Sequence, residues 1–146
     1  MFEVNKAIAR RYYEECWNKG HRDVVDQLVA LNCRFHDAVF PHLGSGPDSL
    51  RRHIEMCRTA FPDLHFAIDN MIAEHDEVVV HWTRTGTHER QFIGLPPTRR
   101  KTSVTGTSIF RIANGKIVEQ WADWNLVMLL EQLGVAQEQY VKVAAG

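Results

Sequence analysis

Residues 103–125 read SVTGTSIFRIANGKIVEQWADWN, and this stretch decides the fold of the chain. Two runs rich in β-branched and aromatic residues, which favour strands, flank the pair Asn114-Gly115. Asn-Gly is the strongest short signal for a hairpin, because a two-residue turn of this kind needs positive φ at both positions. The stretch therefore predicts a β-hairpin made of strands 103–113 and 116–125.

The rest of the chain adds strands and helices to this hairpin. Apolar residues at helical spacing, with Gly and Pro at the ends, indicate helices over residues 4–18, 23–28, 47–61 and 126–133. Strand patterns cover residues 33–40, 64–74 and 78–87. Helices followed by long hairpin-connected strands predict an α+β fold, with three N-terminal helices on the concave face of a curved antiparallel sheet. Three helices cannot fill that face, so we expect a ligand pocket there.

Length, composition and charge limit the possible classes of protein. A chain of 146 residues is predicted to form one domain spanning residues 1–146. The net charge of -1 predicts no nucleic-acid partner, and the absence of an apolar run of roughly 18–20 residues predicts no membrane segment. Three cysteines without CxxC spacing and an N-terminal stretch unlike a signal peptide predict a cytoplasmic location.

Three motifs resemble the SnoaL-like polyketide cyclase family. They are FPD at residues 61–63, GTHERQFIGLPPT at residues 86–98, and NGKIVEQW at residues 114–121 leading into LLEQLG at residues 129–134. The similarity runs over residues 12–134. It implies the cone-shaped α+β fold that this family shares with nuclear transport factor 2, ketosteroid isomerase and scytalone dehydratase.

The resemblance also implies an activity. Cyclases of the family are thought to use an acidic residue on the concave face of the last strand as a general acid and base, without a cofactor. The implied ligand is a small, apolar, polyketide-like molecule that carries carbonyl groups, and the implied assembly is a homodimer formed through the outer sheet face. Because one fold hosts many activities, an isomerase, dehydratase or hydrolase and a non-catalytic ligand-binding module remain alternatives.

The last strand supplies the main catalytic candidate. Trp121, Asp123 and Asn125 alternate along it and therefore share one face. We expect that face to be the concave one, with Asp123 as the proton carrier and Trp121 and Asn125 binding substrate. Many family members carry the acid at the position of Asn125, so the resemblance leaves open which of the two positions holds the acidic role.

Histidines supply further candidates, because an ordinary imidazole titrates near neutral pH. His36 and His42, on and just after the strand over residues 33–40, are predicted to be catalytic, with Asp37 on the opposite face from His36. His88 in the GTH motif is predicted to bind substrate, as are Tyr13 and Phe92. His53 is expected to be solvated, and Arg84 and Arg111 are expected on the surface.

No metal site or cofactor is predicted. The sequence contains no HExxH motif and no paired histidines at a known ligand spacing. The family that the sequence resembles works without a cofactor. The apolar loop at residues 92–97 is interpreted either as a lid over the pocket or as a plug that fastens the loop to the sheet.

Overall fold

The computed structural model describes residues 2–145, which form helices and a curved sheet. The helices are α1 (Phe2–Arg11), α2 (Arg22–Leu28), α3 (Gly46–Ala60), α4 (Leu126–Gln132) and α5 (Tyr140–Ala145), with a π-helical segment at Tyr12–Asn18 and a short 3₁₀ turn at Gln137–Gln139. The strands are β1 (Val29–Asp37), β2 (His65–Glu74), β3 (Glu77–Thr87), β4 (Lys101–Ala113) and β5 (Lys116–Trp124). The α+β fold class is confirmed.

The described strands make one five-stranded sheet in the order β1-β5-β4-β3-β2. The pairs β2–β3, β3–β4 and β4–β5 are antiparallel, as the hairpin signals predict. The turn between β4 and β5 has positive φ at Asn114 and Gly115. The pair β1–β5 is parallel, a detail that the prediction of an antiparallel sheet missed, because β1 reaches the sheet across a long connection rather than through a hairpin.

The core lies between the concave face of the sheet and the N-terminal helices. Alternate residues of β4 are buried along almost its whole length, which is the period-2 pattern of a strand with one face on a core. Aromatic rings from the π-helical segment fill much of this space: Tyr13 packs against Phe66 and Phe110, and Trp17 packs against Phe66. The large rings leave a gap toward one end of the sheet.

A close backbone approach shapes that end of the sheet. A Cβ atom at Gly106 would lie 2.3 Å from Cζ2 of Trp82 and 2.9 Å from Cβ of Trp124. Only glycine leaves enough space for the two indoles on neighbouring strands to lie against β4 at this point. The ring of Trp82 and the ring of Trp124 therefore form the floor of the gap.

Candidate active site

A cavity of about 40 Å³ lies between the sheet and the helices, which is room for about three water molecules. Its wall is built from aromatic rings and a small set of polar groups. The polar residues that line it are Tyr12, Tyr13, His36, Asp37, Ser49, His53, Arg84, Ser108 and Gln120. A mainly apolar space with a few converging polar groups is the usual form of a small-molecule site.

Asp37 is the carboxylate of the cavity wall and lies at the end of β1. Its Oδ1 accepts hydrogen bonds from the backbone N–H groups of Val39 (2.8 Å) and Phe40 (3.2 Å), so the chain turns around this side chain as it leaves the strand. Burial raises the pKa of Asp37 above its usual value, against the lowering effects of the two backbone N–H groups, the Trp124 indole and the Arg84 charge. The backbone therefore holds one carboxylate oxygen, and the carboxylate borders the cavity.

Arg84 faces Asp37 from β3. It is 8% exposed, and the Cζ atom of its guanidinium lies over the indole of Trp124, 4.5 Å from the ring centroid. The nitrogens of Arg84 and the carboxylate oxygens of Asp37 are more than 4.0 Å apart, beyond ion-pair distance. The prediction that Arg84 lies on the surface is wrong. The inward alternation of Val80 and Trp82 continues to position 84, and the ring of Trp124 covers the charge.

A hydrogen-bonded group of three side chains forms the back of the cavity. Ser108 Oγ accepts a hydrogen bond from Tyr13 Oη (2.7 Å) and one from Trp82 Nε1 (3.0 Å). The indole can only donate, so Ser108 and Tyr13 share one hydroxyl–hydroxyl bond that uses one of their two protons. Whichever hydroxyl donates, one O–H of the pair remains available to a ligand in the cavity.

His53 lies on the wall opposite the sheet. Its ring contacts Trp17 and Phe40 edge to face, and its Nδ1 is buried without a hydrogen-bond partner among the described residues. Burial, with a smaller effect of the Arg84 charge, lowers the pKa of His53 to about 4. The imidazole is therefore neutral at pH 7. The expectation that His53 is solvated is wrong, because His53 belongs to the same inward stripe of α3 as Leu50 and Cys57.

The three residues predicted from the last strand do not face the cavity. Asp123 is exposed, and the cavity wall takes Gln120, Ala122 and Trp124 from β5 instead. Trp121 lies on the outer face, and Asn125 is an exposed residue whose Oδ1 accepts the N–H of Met128 to cap α4. The prediction that Asp123, Trp121 and Asn125 face the concave side is wrong.

The cause of the error is a β-bulge. Phe110 and Ile112 are two residues apart on β4, yet their partners on β5, Gln120 and Ile117, are three residues apart. One extra residue in a strand reverses the face of every residue after it. Without the bulge, the inward position of Ile117 would have continued to Trp121 and to position 123.

The predicted catalytic histidines lie largely outside the cavity as well. His36 borders the cavity, but its Nε2 pairs with Glu119 Oε2 at 2.7 Å and its ring stacks on Trp121 on the outer face. Arg111 also pairs with Glu119 there, as expected of a surface residue. His42 is exposed in the loop after β1 and lines a groove of about 360 Å³ outside the cavity. Neither imidazole reaches the inner wall beside Asp37 and Arg84.

His88 and Phe92 fasten the loop after β3. His88 is fully buried, accepts the N–H of Thr98 at Nδ1 (3.2 Å) and stacks on Phe61. Phe92 is buried between Phe61 and Phe40. His88 and Phe92 are predicted to contact substrate, but neither residue lines the cavity. Tyr13, which carries the same prediction, does line it.

The chain matches known proteins in sequence pattern and in structure. The family model described as SnoaL-like polyketide cyclase matches residues 7–133. The chain belongs to the SnoaL-like polyketide cyclase family. TsrD from Streptomyces laurentii has a similar fold, with a TM-score of 0.83 at 23% identity over 92% of this chain and 97% of that chain.

Two further solved structures of similar fold come from other Streptomyces species. IdmH from Streptomyces antibioticus, described as a candidate polyketide cyclase, gives a TM-score of 0.80 at 25% identity over 90% of this chain and 99% of its own. AclR from Streptomyces galilaeus, described as a candidate hydroxylase, gives 0.78 at 25% identity over 92% and 98%. No curated protein matches the chain significantly.

The cavity of this chain takes its carboxylate from a different strand than the family resemblance implies. The resemblance implies a concave-face acid from the last strand, whereas here the carboxylate on the cavity wall comes from β1, at Asp37. Within residues 2–145, no group of three His, Cys, Asp or Glu side chains is placed to hold a metal ion. In the same range, no helix is both long and apolar enough to cross a bilayer.

Proposed function

We propose that the chain is a cofactor-independent, polyketide-cyclase-like enzyme in which Asp37 carries protons to and from a small, apolar ligand containing carbonyl groups. The observation that carries this proposal is the half-buried carboxylate of Asp37, which borders the cavity and has one oxygen bonded to the backbone. A carboxylate in such surroundings has a raised pKa, so it can take up a proton and return it.

The proposed reaction balances without any other reagent. Ionised Asp37 removes a proton from the carbon next to a ligand carbonyl, and the C–H electron pair moves into an enolate. The enolate carbon attacks a second carbonyl of the same ligand, and the alkoxide formed takes the proton back from Asp37. The spare hydroxyl proton of the Tyr13–Ser108 pair is available to an oxygen on which negative charge develops.

The size of the cavity limits how a ligand is held. Phe40, Leu43, Ser49 and His53 line both the cavity of about 40 Å³ and the outer groove of about 360 Å³, so their side chains form the partition between the two spaces. We expect the reacting carbonyl group to enter the cavity while the remainder of the ligand occupies the groove. Rotation of Phe40 and Leu43 would join the two spaces.

Exchange of α-protons tests the proposal without knowledge of the natural substrate. The chain is incubated with acetone or 2-butanone in D₂O, and deuterium uptake is followed by NMR. We expect Asp37→Asn to reduce the protein-dependent exchange rate by about 10²- to 10⁴-fold, the usual contribution of a general base. Asp123→Asn, which changes an exposed carboxylate outside the cavity, is the matched control and should leave the rate unchanged.

Two results would contradict the proposal. The first is an exchange rate that Asp37→Asn does not change. The second is a rate in the parent protein that does not fall on acidification through the raised pKa of Asp37. An isomerase or dehydratase would pass the exchange test too, because those reactions also begin with proton transfer, and product analysis separates them. A non-catalytic binding module, favoured by the small cavity, would bind these ketones without exchanging their protons.

The homodimer implied by the resemblance and the cytoplasmic location predicted from the sequence stay predictions. Sedimentation equilibrium tests the first of them. A protein that stays monomeric at all concentrations would contradict it.

A further inference from the structure

The guanidinium of Arg84 is buried without a hydrogen-bond acceptor among the described residues. It lies over the indole of Trp124. Burial lowers the pKa of Arg84, and the charges of Cys57 and Asp37 raise it by less. Among the described residues, the sealed side-chain nitrogens that lack a hydrogen-bond partner belong to Trp17, His53 and His88. The nitrogens of Arg84 also lack a partner but are not sealed, so they border open space. That space is the cavity.

Such a group is costly to the fold. A guanidinium stays protonated at every ordinary pH and carries five N–H donors. Burying a charge is unfavourable unless a partner of opposite charge and hydrogen bonds compensate it. Asp37, the nearest carboxylate of the cavity, is beyond ion-pair distance and already accepts two backbone hydrogen bonds. The fold itself therefore supplies no full partner for this charge.

We propose that Arg84 is the receptor for a planar two-oxygen anion of the ligand, either a carboxylate or the enolate of a 1,3-dicarbonyl group. The inference rests on the proposed function, since it concerns the same cavity. The rigid fork of a guanidinium matches two oxygens held in one plane. Room for about three water molecules suits a group of this size.

The other groups on the wall agree with an anionic ligand. The Tyr13–Ser108 pair has one hydroxyl proton to donate. This proton and the N–H groups of Arg84 are donors that an anion in the cavity could accept. When Asp37 takes a proton from the ligand, the negative charge passes from Asp37 to the ligand enolate. That enolate would lie beside Arg84, so the net charge of the site would not change.

The test uses acetate and 2,4-pentanedione as probes and acetone as the neutral control, with binding followed by NMR titration. We expect acetate, or 2,4-pentanedione bound as its enolate, or both, to bind the parent protein, and Arg84→Met to weaken that binding by about 30-fold or more. Arg111→Met removes an arginine from the outer face and is the matched control. The absorbance of bound 2,4-pentanedione shows whether it binds as an enolate or as a diketone. Comparison with acetate then shows whether Arg84 prefers an enolate or a carboxylate.

Stability measurements exclude a merely structural role. If Arg84 served only the fold, Arg84→Met would lower the melting temperature. We expect it to be unchanged or raised, because the substitution removes a buried charge that has no full partner. A clear fall in melting temperature together with unchanged anion binding would overturn the inference.

The remaining outcomes separate this inference from the proposed function. If neither anion binds the parent protein or Phe40→Ala, in which the partition is opened, the inference is overturned. If Arg84→Met abolishes binding while Asp37→Asn keeps its exchange activity, the inference stands and the proposed function fails. We expect Asp37→Asn to bind acetate or the enolate, whichever the parent protein binds, at least as tightly as the parent protein does, because the substitution removes a neighbouring negative charge.

Discussion

Replacing Ser108 with alanine should be one of the most damaging small changes in the protein. Ser108 Oγ is the acceptor for Trp82 Nε1 and shares a hydrogen bond with the Tyr13 hydroxyl, and all three side chains are at most 2% exposed. Ser108→Ala would leave both partners without a bond. Each buried polar group left unsatisfied costs about 1–3 kcal/mol. We expect a loss of about 2–4 kcal/mol in the free energy of unfolding, toward the low end because water can enter the adjoining cavity.

A double-mutant cycle measures this loss. Urea denaturation followed by circular dichroism gives the free energy of unfolding of the parent protein, Ser108→Ala, Tyr13→Phe and the double variant. Tyr13→Phe alone should cost about 1 kcal/mol, since Ser108 keeps its bond to the indole. In the Tyr13→Phe background, Ser108→Ala leaves only the indole unsatisfied and should cost about 1–3 kcal/mol less than in the parent protein. Strictly additive losses, or a loss below about 0.5 kcal/mol for Ser108→Ala, would refute the reasoning.

Two further substitutions test other parts of the site. Gly106→Ala should destabilise the fold by about 1–3 kcal/mol and block binding of small ketones, because its Cβ would lie 2.3 Å from the Trp82 ring. Calorimetry measures the loss of stability, and NMR titration measures ketone binding. A fully stable variant would contradict the packing described. His53→Gln should remove part of the loss of stability on acidification from about pH 6.5 to about pH 4. Over that range the unfolded chain binds a proton that the folded His53 does not, so unfolding curves at several pH values should be flatter for the variant than for the parent protein.

Much of the fold could be predicted because its signals are local. The Asn114-Gly115 turn needs positive φ at both positions, and the structure has φ of 53° and 75° there. Alternation along β4 and the helical spacing of α3 are both set by residues a few positions apart. These features depend on neighbours in sequence, and a single sequence records them.

The faces of the strands near the site were harder to predict. The bulge at Val118 leaves no mark in composition, yet it decides that Ala122 rather than Asp123 reaches the cavity. The sequence did contain two signals that could have corrected the prediction. Alternation from Val80 and Trp82 places position 84 inward, and the buried spacing of Leu50 and Cys57 places position 53 on the same stripe. Both signals were outweighed by the general expectation that charged and titratable side chains lie on the surface.

The partition between the cavity and the groove has a kinetic consequence. It consists of side chains on α3 and on the loop over residues 38–45, so a ligand is admitted when Phe40 and Leu43 change rotamer, without separation of any strand or helix. Association should then be slower than diffusional encounter, and the same barrier delays departure. A reactive enolate formed inside would be retained long enough to find its second carbonyl before bulk solvent could quench it.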